Sequence, residues 1–324
     1  MTGGQRLRWG ILGAARIART QFVPGVRASR TGSVVALASR DGQRAEAMAA
    51  EHAIPRAYAA YADLLADPQV DAIYVALPNS LHAEWTIHAA RAGKHVLCEK
   101  PLARQAADAE RMAAACRQAG VLLMEAFMWR HHPQHARVKA LLQAGAIGEP
   151  TLVRASFTYV IGPGPNVRLE KDLDGGSLLD VGCYAVNVAR WAFDAEPLAC
   201  VGQQVVDPAS GVDLSFAGVL RFAGGRLALV DSSFCQSYTQ RYELVGPGGR
   251  IVVPRAFRPD TQTGLIRVLS RDREQTEEVP PANQYAAQVD HFARSVGAGR
   301  LLPPAEDGVA QAHAIQALYA SAGL

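Results

Sequence analysis

Two stretches of this 324-residue sequence combine residue types suited to proton transfer. The first is Gly93-Lys94-His95-Val96-Leu97-Cys98-Glu99-Lys100-Pro101. A short apolar run bounded by glycine and proline reads as a buried strand, so Glu99 and Lys100 stand at its carboxyl end, where open α/β sheets bind ligands. Lys94, Lys100, Lys139 and Lys171 are the only lysines among 33 basic residues. Arginine keeps its proton near neutral pH whereas a desolvated lysine can release one, which makes Lys100 a candidate for acid/base work. A solvated Lys100–Glu99 ion pair is the competing reading. The second stretch, residues 175–191, is a largely apolar helix whose polar exceptions Asp180, Tyr184 and Asn187 fall at i, i+4 and i+7 and share one face. Unsatisfied buried polar groups cost about 1–3 kcal/mol each, and a substrate with many hydroxyls would satisfy them. Ser177-x-x-Asp180 also fits a variant of the capping box, and Tyr184 also fits a core tyrosine with one satisfied hydroxyl.

The elements that must position these residues follow from hydrophobic periodicity. Residues 7–13 form a strand running into a helix that opens at 14–18. Gly13, Ala15 and Ala18 occupy the G-x-G-x-x-G/A positions of a dinucleotide loop, with alanine at the middle glycine, so a plain strand-to-helix turn fits as well. A second strand, 33–38, ends in Ser39-Arg40-Asp41. An NAD site places an acid there to accept from the ribose 2′-hydroxyl; a hydroxyl and a guanidinium suit a 2′-phosphate instead, so NADP(H) is the preferred cofactor and NAD(H) a possible one. Alternatively, Ser39 caps the next helix and Asp41 approaches the ribose. Strand and helix signals then alternate to a strand at 71–77, closed by Pro78-Asn79-Ser80-Leu81-His82. Asn79 or Ser80 can cap the following helix, and Asn79 and His82 also lie where a nicotinamide ribose could sit. After a helix at 104–118 and a strand at 121–124 the doubly wound half ends.

From Pro150 the grammar changes to β-like runs at 151–160, 199–206, 213–222, 226–234, 240–245, 250–253, 265–269 and 275–279, with two closing helices at 283–296 and 306–322. The fold class is therefore α/β: a Rossmann domain at 1–124 with a doubly wound parallel sheet, then a domain at 125–324 with a large, mainly antiparallel open sheet. The last helix is expected to pack back on the first domain.

Composition excludes several functions. The formal charge is +3, and the densest basic stretch, Arg241 to Arg273, is interspersed with Glu243, Asp260, Asp272 and Glu274; it reads as a solvated sheet face, not a nucleic-acid footprint. No apolar run reaches membrane-spanning length, and Met1 to Arg8 lack a signal pattern. Five cysteines without a C-x-x-C pair point to a reduced, cytoplasmic compartment. His131, His132 and His135 cluster beside Pro133, but their spacing matches no recognised zinc pattern, and no metal is expected.

Taken together, Gly10-x-x-Gly13-x-Ala15-x-Ile17-Ala18, Pro78-Asn79-x-x-His82, Glu99-Lys100-Pro101 and residues 175–184 resemble the Gfo/Idh/MocA oxidoreductases nearly end to end. The resemblance implies a nicotinamide cofactor bound by Gly13, Ala15, Arg16, Ile17, Ser39, Arg40, Leu77, Pro78, Asn79, His82, Glu99, Lys100 and Pro101. It implies that Lys100 is the catalytic lysine. Tyrosine at 184, together with residues 125–133, resembles the branch containing dihydrodiol dehydrogenase, NADP-dependent aldose dehydrogenases and glucose-fructose oxidoreductase, and Asn187 departs from the aspartate of inositol dehydrogenases. The expected reaction is hydride transfer between NADP(H) and a sugar, polyol or vicinal diol. Tyr184 exchanges the proton, Lys100 lowers its pKa, Asp180 orients the substrate, and Trp129, Arg130 and, more weakly, Arg168 line the site. A homodimer or homotetramer is expected. A cofactor-bound sensor, or a glycoside hydrolase using transient oxidation, are the alternatives on the same scaffold.

Overall fold

The computed structural model describes residues 6–260, 262–270 and 273–323. Asp272 and the residues before Arg6, which entered the readings of the basic stretch and of the amino terminus, lie outside these. By internal contacts the chain forms two units: residues up to His131 with Asn283–Val309, and His132–Ala282 with residues from Ala310 onward. The first break falls after 131, where 124 was expected, and the segment that returns to the first unit is the penultimate helix with the first turn of the last.

In the first unit, β1 (Leu7–Leu12), β2 (Gly32–Ala38), β3 (Arg56–Tyr58), β4 (Ala72–Val75), β5 (His95–Cys98) and β6 (Leu123–Glu125) form a parallel sheet in the order β3-β2-β1-β4-β5-β6. This is the expected doubly wound Rossmann sheet, with its switch point between β1 and β4. The crossovers include α1 (Val23–Ala28), α2 (Gly42–Glu51), α3 (Tyr61–Ala66), α4 (His82–Arg91) and α5 (Ala106–Ala119). Every residue of β4 is buried, as a strand covered on both faces requires. Trp9, Phe22, Tyr74 and Phe292 are buried in one cluster, with Phe22 stacked on Tyr74 at 3.7 Å between centroids. Each such side chain contributes about 1.5–3 kcal/mol by burial.

The second unit opens with α6 (Pro133–Gln143), which was not anticipated. Its signal was present: Pro133 stands at the first helical position, and the His132 imidazole caps it by accepting from the Gln134 N–H. Then come β7 (Leu152–Val160), α7 (Cys183–Phe193), β8 (Ala199–Val206), β9 (Asp213–Arg221), β10 (Leu227–Ser233), β11 (Cys235–Gly246), β12 (Gly249–Val253), β13 (Gly264–Ser270) and β14 (Glu274–Val279). These eight strands form one sheet in the order β14-β13-β12-β11-β7-β10-β9-β8, antiparallel except for β7 and β10. All eight coincide with expected runs. After β14, α8 (Gln284–Ala298) belongs to the first unit, and the chain crosses back within α9 (Glu306–Ser321).

Alternation along the strands sorts the two faces of this sheet. Val153, Ala155 and Phe157 of β7, with Tyr242 and Leu244 of β11, are buried beneath α7. On the opposite face Val201, Val219, Leu229, Arg154 and Glu243 stand in register across β8, β9, β10, β7 and β11. Val201 is 60% exposed and Leu229 40%. Towards β14 the same face carries ion pairs, Arg154–Glu243 at 2.7 Å and Arg250–Glu243 at 3.2 Å, in agreement with a solvated charged face.

Candidate active site

At the switch point, β1 passes through Gly13 into a helical stretch from 16 to 28. Gly13 has φ +102°, and a Cβ there would lie 2.4 Å from the Ala76 carbonyl oxygen at the end of β4. Glycine alone lets these two strand ends approach so closely. Ala14, Ala15 and Ile17 are half-buried and Arg16 is exposed, so the opening of the helix is accessible to a pyrophosphate. Beyond β2, Ser39 is buried and its hydroxyl accepts from the Asp41 N–H at 3.2 Å. The Asp41 carboxylate accepts from the Arg44 N–H at 3.1 Å and caps α2, which engages the acid that would otherwise serve a ribose. Arg40 is exposed, and the Arg44 guanidinium reaches back 3.3 Å to the Ala14 carbonyl. Arg40 and Arg44 are thus two arginines just beyond β2, four residues apart. Arg44 escaped sequence reasoning, although its spacing of four from Arg40 was a usable signal. These features fit a dinucleotide, and Ser39, Arg40 and Arg44 fit a 2′-phosphate.

The loops after β4 and β5 carry the next group. Leu77 and Pro78 are half-buried, and Asn79 begins a short 3-10 turn, Asn79–Leu81, that leads into α4. The N-cap of α4 is Leu81, without a side-chain cap of its own. His82 is fully buried, with Nδ1 2.8 Å from the Pro101 carbonyl oxygen and Nε2 3.0 Å from that of Leu77. The neutral ring has one N–H, so it donates to one of these two carbonyl oxygens. Burial holds its pKa below the ordinary imidazole value, with the Lys100 charge acting in the same direction and the carbonyl oxygens opposing. Glu99 accepts from the Tyr74 hydroxyl and, at 3.3 Å, from the Lys100 backbone N–H. Leu102 N–H donates to Glu125 at 2.8 Å. The half-buried Lys100 thus sits in a segment fastened at Glu99, Pro101 and Leu102.

Trp129 and Arg130 lie on the 3-10 turn Met128–His131. Trp129 is fully buried, and Arg130 is paired with Asp307 at 2.7 Å, so its charge is balanced within its own unit. The three histidines do not converge. His131 lies against His291, 4.9 Å between centroids, while His135 meets the Tyr242 hydroxyl at 2.9 Å and the Ala256 carbonyl at 2.8 Å. Burial lowers the pKa to about 3 for His131 and His135 and to about 4 for His132. Among the described residues no group of three or more His, Cys, Asp or Glu is placed to hold a metal.

In the second unit, α7 is entered through a π-turn, Leu178–Gly182, of a kind that recurs at functional sites. Its amino end is capped from another strand. Asp213 of β9 accepts from the Leu178 N–H and the Ser177 hydroxyl, each at 2.8 Å, and from the Tyr319 hydroxyl at 2.7 Å. That replaces the capping box read from Ser177 and Asp180 and releases Asp180 for other work. Gly176 makes the approach possible, because at φ +119° a Cβ would lie 2.2 Å from Asp213 Oδ1. Asp180 Oδ2 accepts from Arg168 Nε at 2.8 Å and from the Tyr159 hydroxyl at 2.9 Å. Chiefly through the Asp180 charge, the Arg168 guanidinium is held above its ordinary pKa, with Tyr159 and Tyr184 acting in the same direction. The Tyr184 ring packs edge-on to Phe157 at 5.3 Å and tilted against Phe257 at 5.2 Å. Asn187, the third member of the expected stripe, is fully buried and donates to Gln311 at 3.2 Å, a helix-to-helix contact. Arg168 joins Asp180 and Tyr184 more closely than the sequence suggested, and Tyr159 was missed.

With this geometry in view, two family models match the chain: the oxidoreductase family with an NAD-binding Rossmann fold over residues 7–127, and the GFO/IDH/MocA C-terminal domain over 135–252. The chain belongs to this family and is an NAD(P)-dependent oxidoreductase. Among its relatives is D-xylose 1-dehydrogenase (NADP(+)) 2 of Haloferax volcanii, 40% identical across 98% of this chain and 97% of that one. Among solved structures, the 3-ketoreductase KijD10 of Actinomadura kijaniata, in complex with NADP and TDP-benzene, superposes with a TM-score of 0.91 at 34% identity, covering 98% of both chains. It has also been solved as a tyrosine-to-phenylalanine variant and with a lysine replaced by alanine or glutamate. The aldose-aldose oxidoreductase of Caulobacter crescentus, complexed with glycerol, superposes with a TM-score of 0.91 at 31% identity and 98% coverage of both.

Proposed function

We propose that this protein transfers a hydride between NADP(H) and a carbinol carbon of a sugar, polyol or vicinal diol. The observation that carries the substrate class is the entry to α7, where a carboxylate held by two donors precedes a tyrosine by four residues. Such a pair binds one hydroxyl while exchanging the proton of another. The relatives named for D-xylose and for aldoses support the same class. The nicotinamide, when bound, accepts or supplies the hydride. Tyr184 passes the hydroxyl proton, and Lys100 favours the tyrosinate through its positive charge and hydrogen-bonds the same oxygen. Asp180 orients the substrate with Arg168 beside it, and Trp129 and Arg130 are further substrate-binding candidates. Gly13, Ala15, Arg16 and Ile17 cradle the pyrophosphate; Ser39, Arg40 and Arg44 bind the 2′-phosphate; and Leu77, Pro78, Asn79, Glu99 and Pro101 border the nicotinamide ribose, with His82 bracing them from behind.

The protein is further proposed to form homodimers or homotetramers through the exposed sheet face, where Val201, Val205, Val219 and Leu229 form an apolar area beside ion pairs. We assign it to the cytoplasm. All five cysteines are free thiols, with Cys116 pushed up to about 12 and Cys200 to about 11 by burial, and no described helix is long and apolar enough to cross a membrane. The test of the chemistry is substitution: Lys100→Met and Tyr184→Phe should each retain NADP+ binding and lower turnover about a hundredfold or more. Near-normal rates in either variant remove that residue from the mechanism.

A further inference from the structure

Tyr159 lies near the end of β7, two residues beyond Phe157 and therefore on the same face of the strand. That face is the one covered by α7, and Phe157 itself touches the Tyr184 ring. The Tyr159 ring is half-buried against Phe234, 5.3 Å between centroids, and its hydroxyl stands 2.9 Å from Asp180 Oδ2. Arg168 Nε meets the same oxygen at 2.8 Å. The two donors differ in kind. Arg168 comes from the short turn Val167–Leu169 and its side chain is 44% exposed, whereas Tyr159 is carried by β7, which lies between β11 and β10 in the sheet. A strand-borne phenol fixes direction; a surface guanidinium supplies charge. Asp180 needs such support because it sits on a π-turn and the carboxylate that caps this helix is Asp213.

We propose that Tyr159 is a positioning residue of the reaction, holding the Asp180 carboxylate in the one orientation that receives a substrate hydroxyl beside Tyr184. The proposal rests on the reading of Asp180 as the substrate-orienting group. Tyr159→Phe keeps the ring against Phe234 and removes only the hydroxyl.

With D-xylose and NADP+ as the probe pair, Tyr159→Phe should raise KM for the sugar about tenfold or more, the effect of losing one hydrogen bond to a charged group. The KM for NADP+ and the melting temperature should stay near wild type. In an Asp180→Ala background the same substitution should add nothing. Equal multiplication of the two effects, or a parallel rise in the NADP+ KM, overturns the proposal. If Asp180→Ala itself leaves the sugar KM unchanged, the parent reading of Asp180 fails and takes this one with it. If Asp180→Ala raises the KM and Tyr159→Phe does not, only the present proposal fails. A readout independent of turnover is the crystal structure of Tyr159→Phe: a second Asp180 side-chain orientation supports the proposal, and an Asp180 unmoved from wild type overturns it.

Discussion

His82 Nδ1 lies 2.8 Å from the carbonyl oxygen of Pro101, the residue that follows Lys100, while its other ring nitrogen reaches the Leu77 carbonyl at the neighbouring strand end. The buried, neutral imidazole therefore packs between the β4 and β5 loops and donates to one of the two carbonyl oxygens. His82→Ala should misplace Lys100 without removing it, and small displacements of catalytic groups cost about ten- to a hundredfold in rate. Steady-state kinetics should show kcat/KM falling by that order with the protein still folded. A variant with wild-type kinetics would show that the Lys100 segment holds itself in place.

Arg40 and Arg44 are proposed to bind the 2′-phosphate: Arg40 is exposed just beyond β2, the Arg44 guanidinium reaches the Ala14 carbonyl, and Asp41 is engaged in capping α2. Replacing either arginine by alanine should raise the KM for NADP+ about tenfold or more, the scale of a charge-assisted contact, with little change for NAD+. Equal weakening of both cofactors would mean that neither guanidinium reads the 2′-phosphate.

Three buried histidines should make the fold lose stability in acid. His131, His132 and His135 titrate at about 3, 4 and 3, against 6.5 for an ordinary imidazole. Their folded values lie below the unfolded one, so the unfolded chain binds more protons under pH 6.5, and stability is lost as pH falls from there towards 4. The slope should be about 1.4 kcal/mol per pH unit for each histidine. Urea unfolding between pH 7 and 5 measures it, and His132→Gln should remove one share. A flat profile contradicts the assignment.

Gly176 permits the contact that caps the Tyr184 helix. In Gly176→Ala the new Cβ meets Asp213 Oδ1 at 2.2 Å in a backbone region that alanine avoids. The expected cost is about 2 kcal/mol or more, from backbone strain and displaced hydrogen bonds. Thermal unfolding should show a lowered midpoint; an unchanged one would mean that the turn relaxes freely.

Much of this architecture was legible in the sequence because period decides it. Buried parallel strands such as Ala72–Val75 read as apolar runs, and the second sheet reads as alternation punctuated by turns. The α6 helix carries only a weak apolar stripe, and Pro133 with the His132 cap was the informative pair. In the candidate site, local motifs singled out Lys100, Asp180 and Tyr184 as candidates. The supports of Asp180 were less legible: Tyr159 reaches it from 21 residues away, Arg168, expected only as a weaker lining residue, from 12, and Asp213 caps the helix from 35 residues beyond Leu178. Such pairings depend on strand order, which no local window contains. The π-turn likewise shifts the helical spacing on which the stripe of Asp180, Tyr184 and Asn187 was read, and Asn187 proved to serve packing against Gln311.

The most direct measurement is the rate of NADP+ reduction across a panel of aldoses, polyols and vicinal diols that includes D-xylose, with NAD+ run in parallel. Turnover of at least one member of the panel, faster with NADP+ than with NAD+, is the predicted result. Reduction that prefers NAD+, or none with either cofactor and none of the corresponding carbonyl compounds by NADPH, would contradict it.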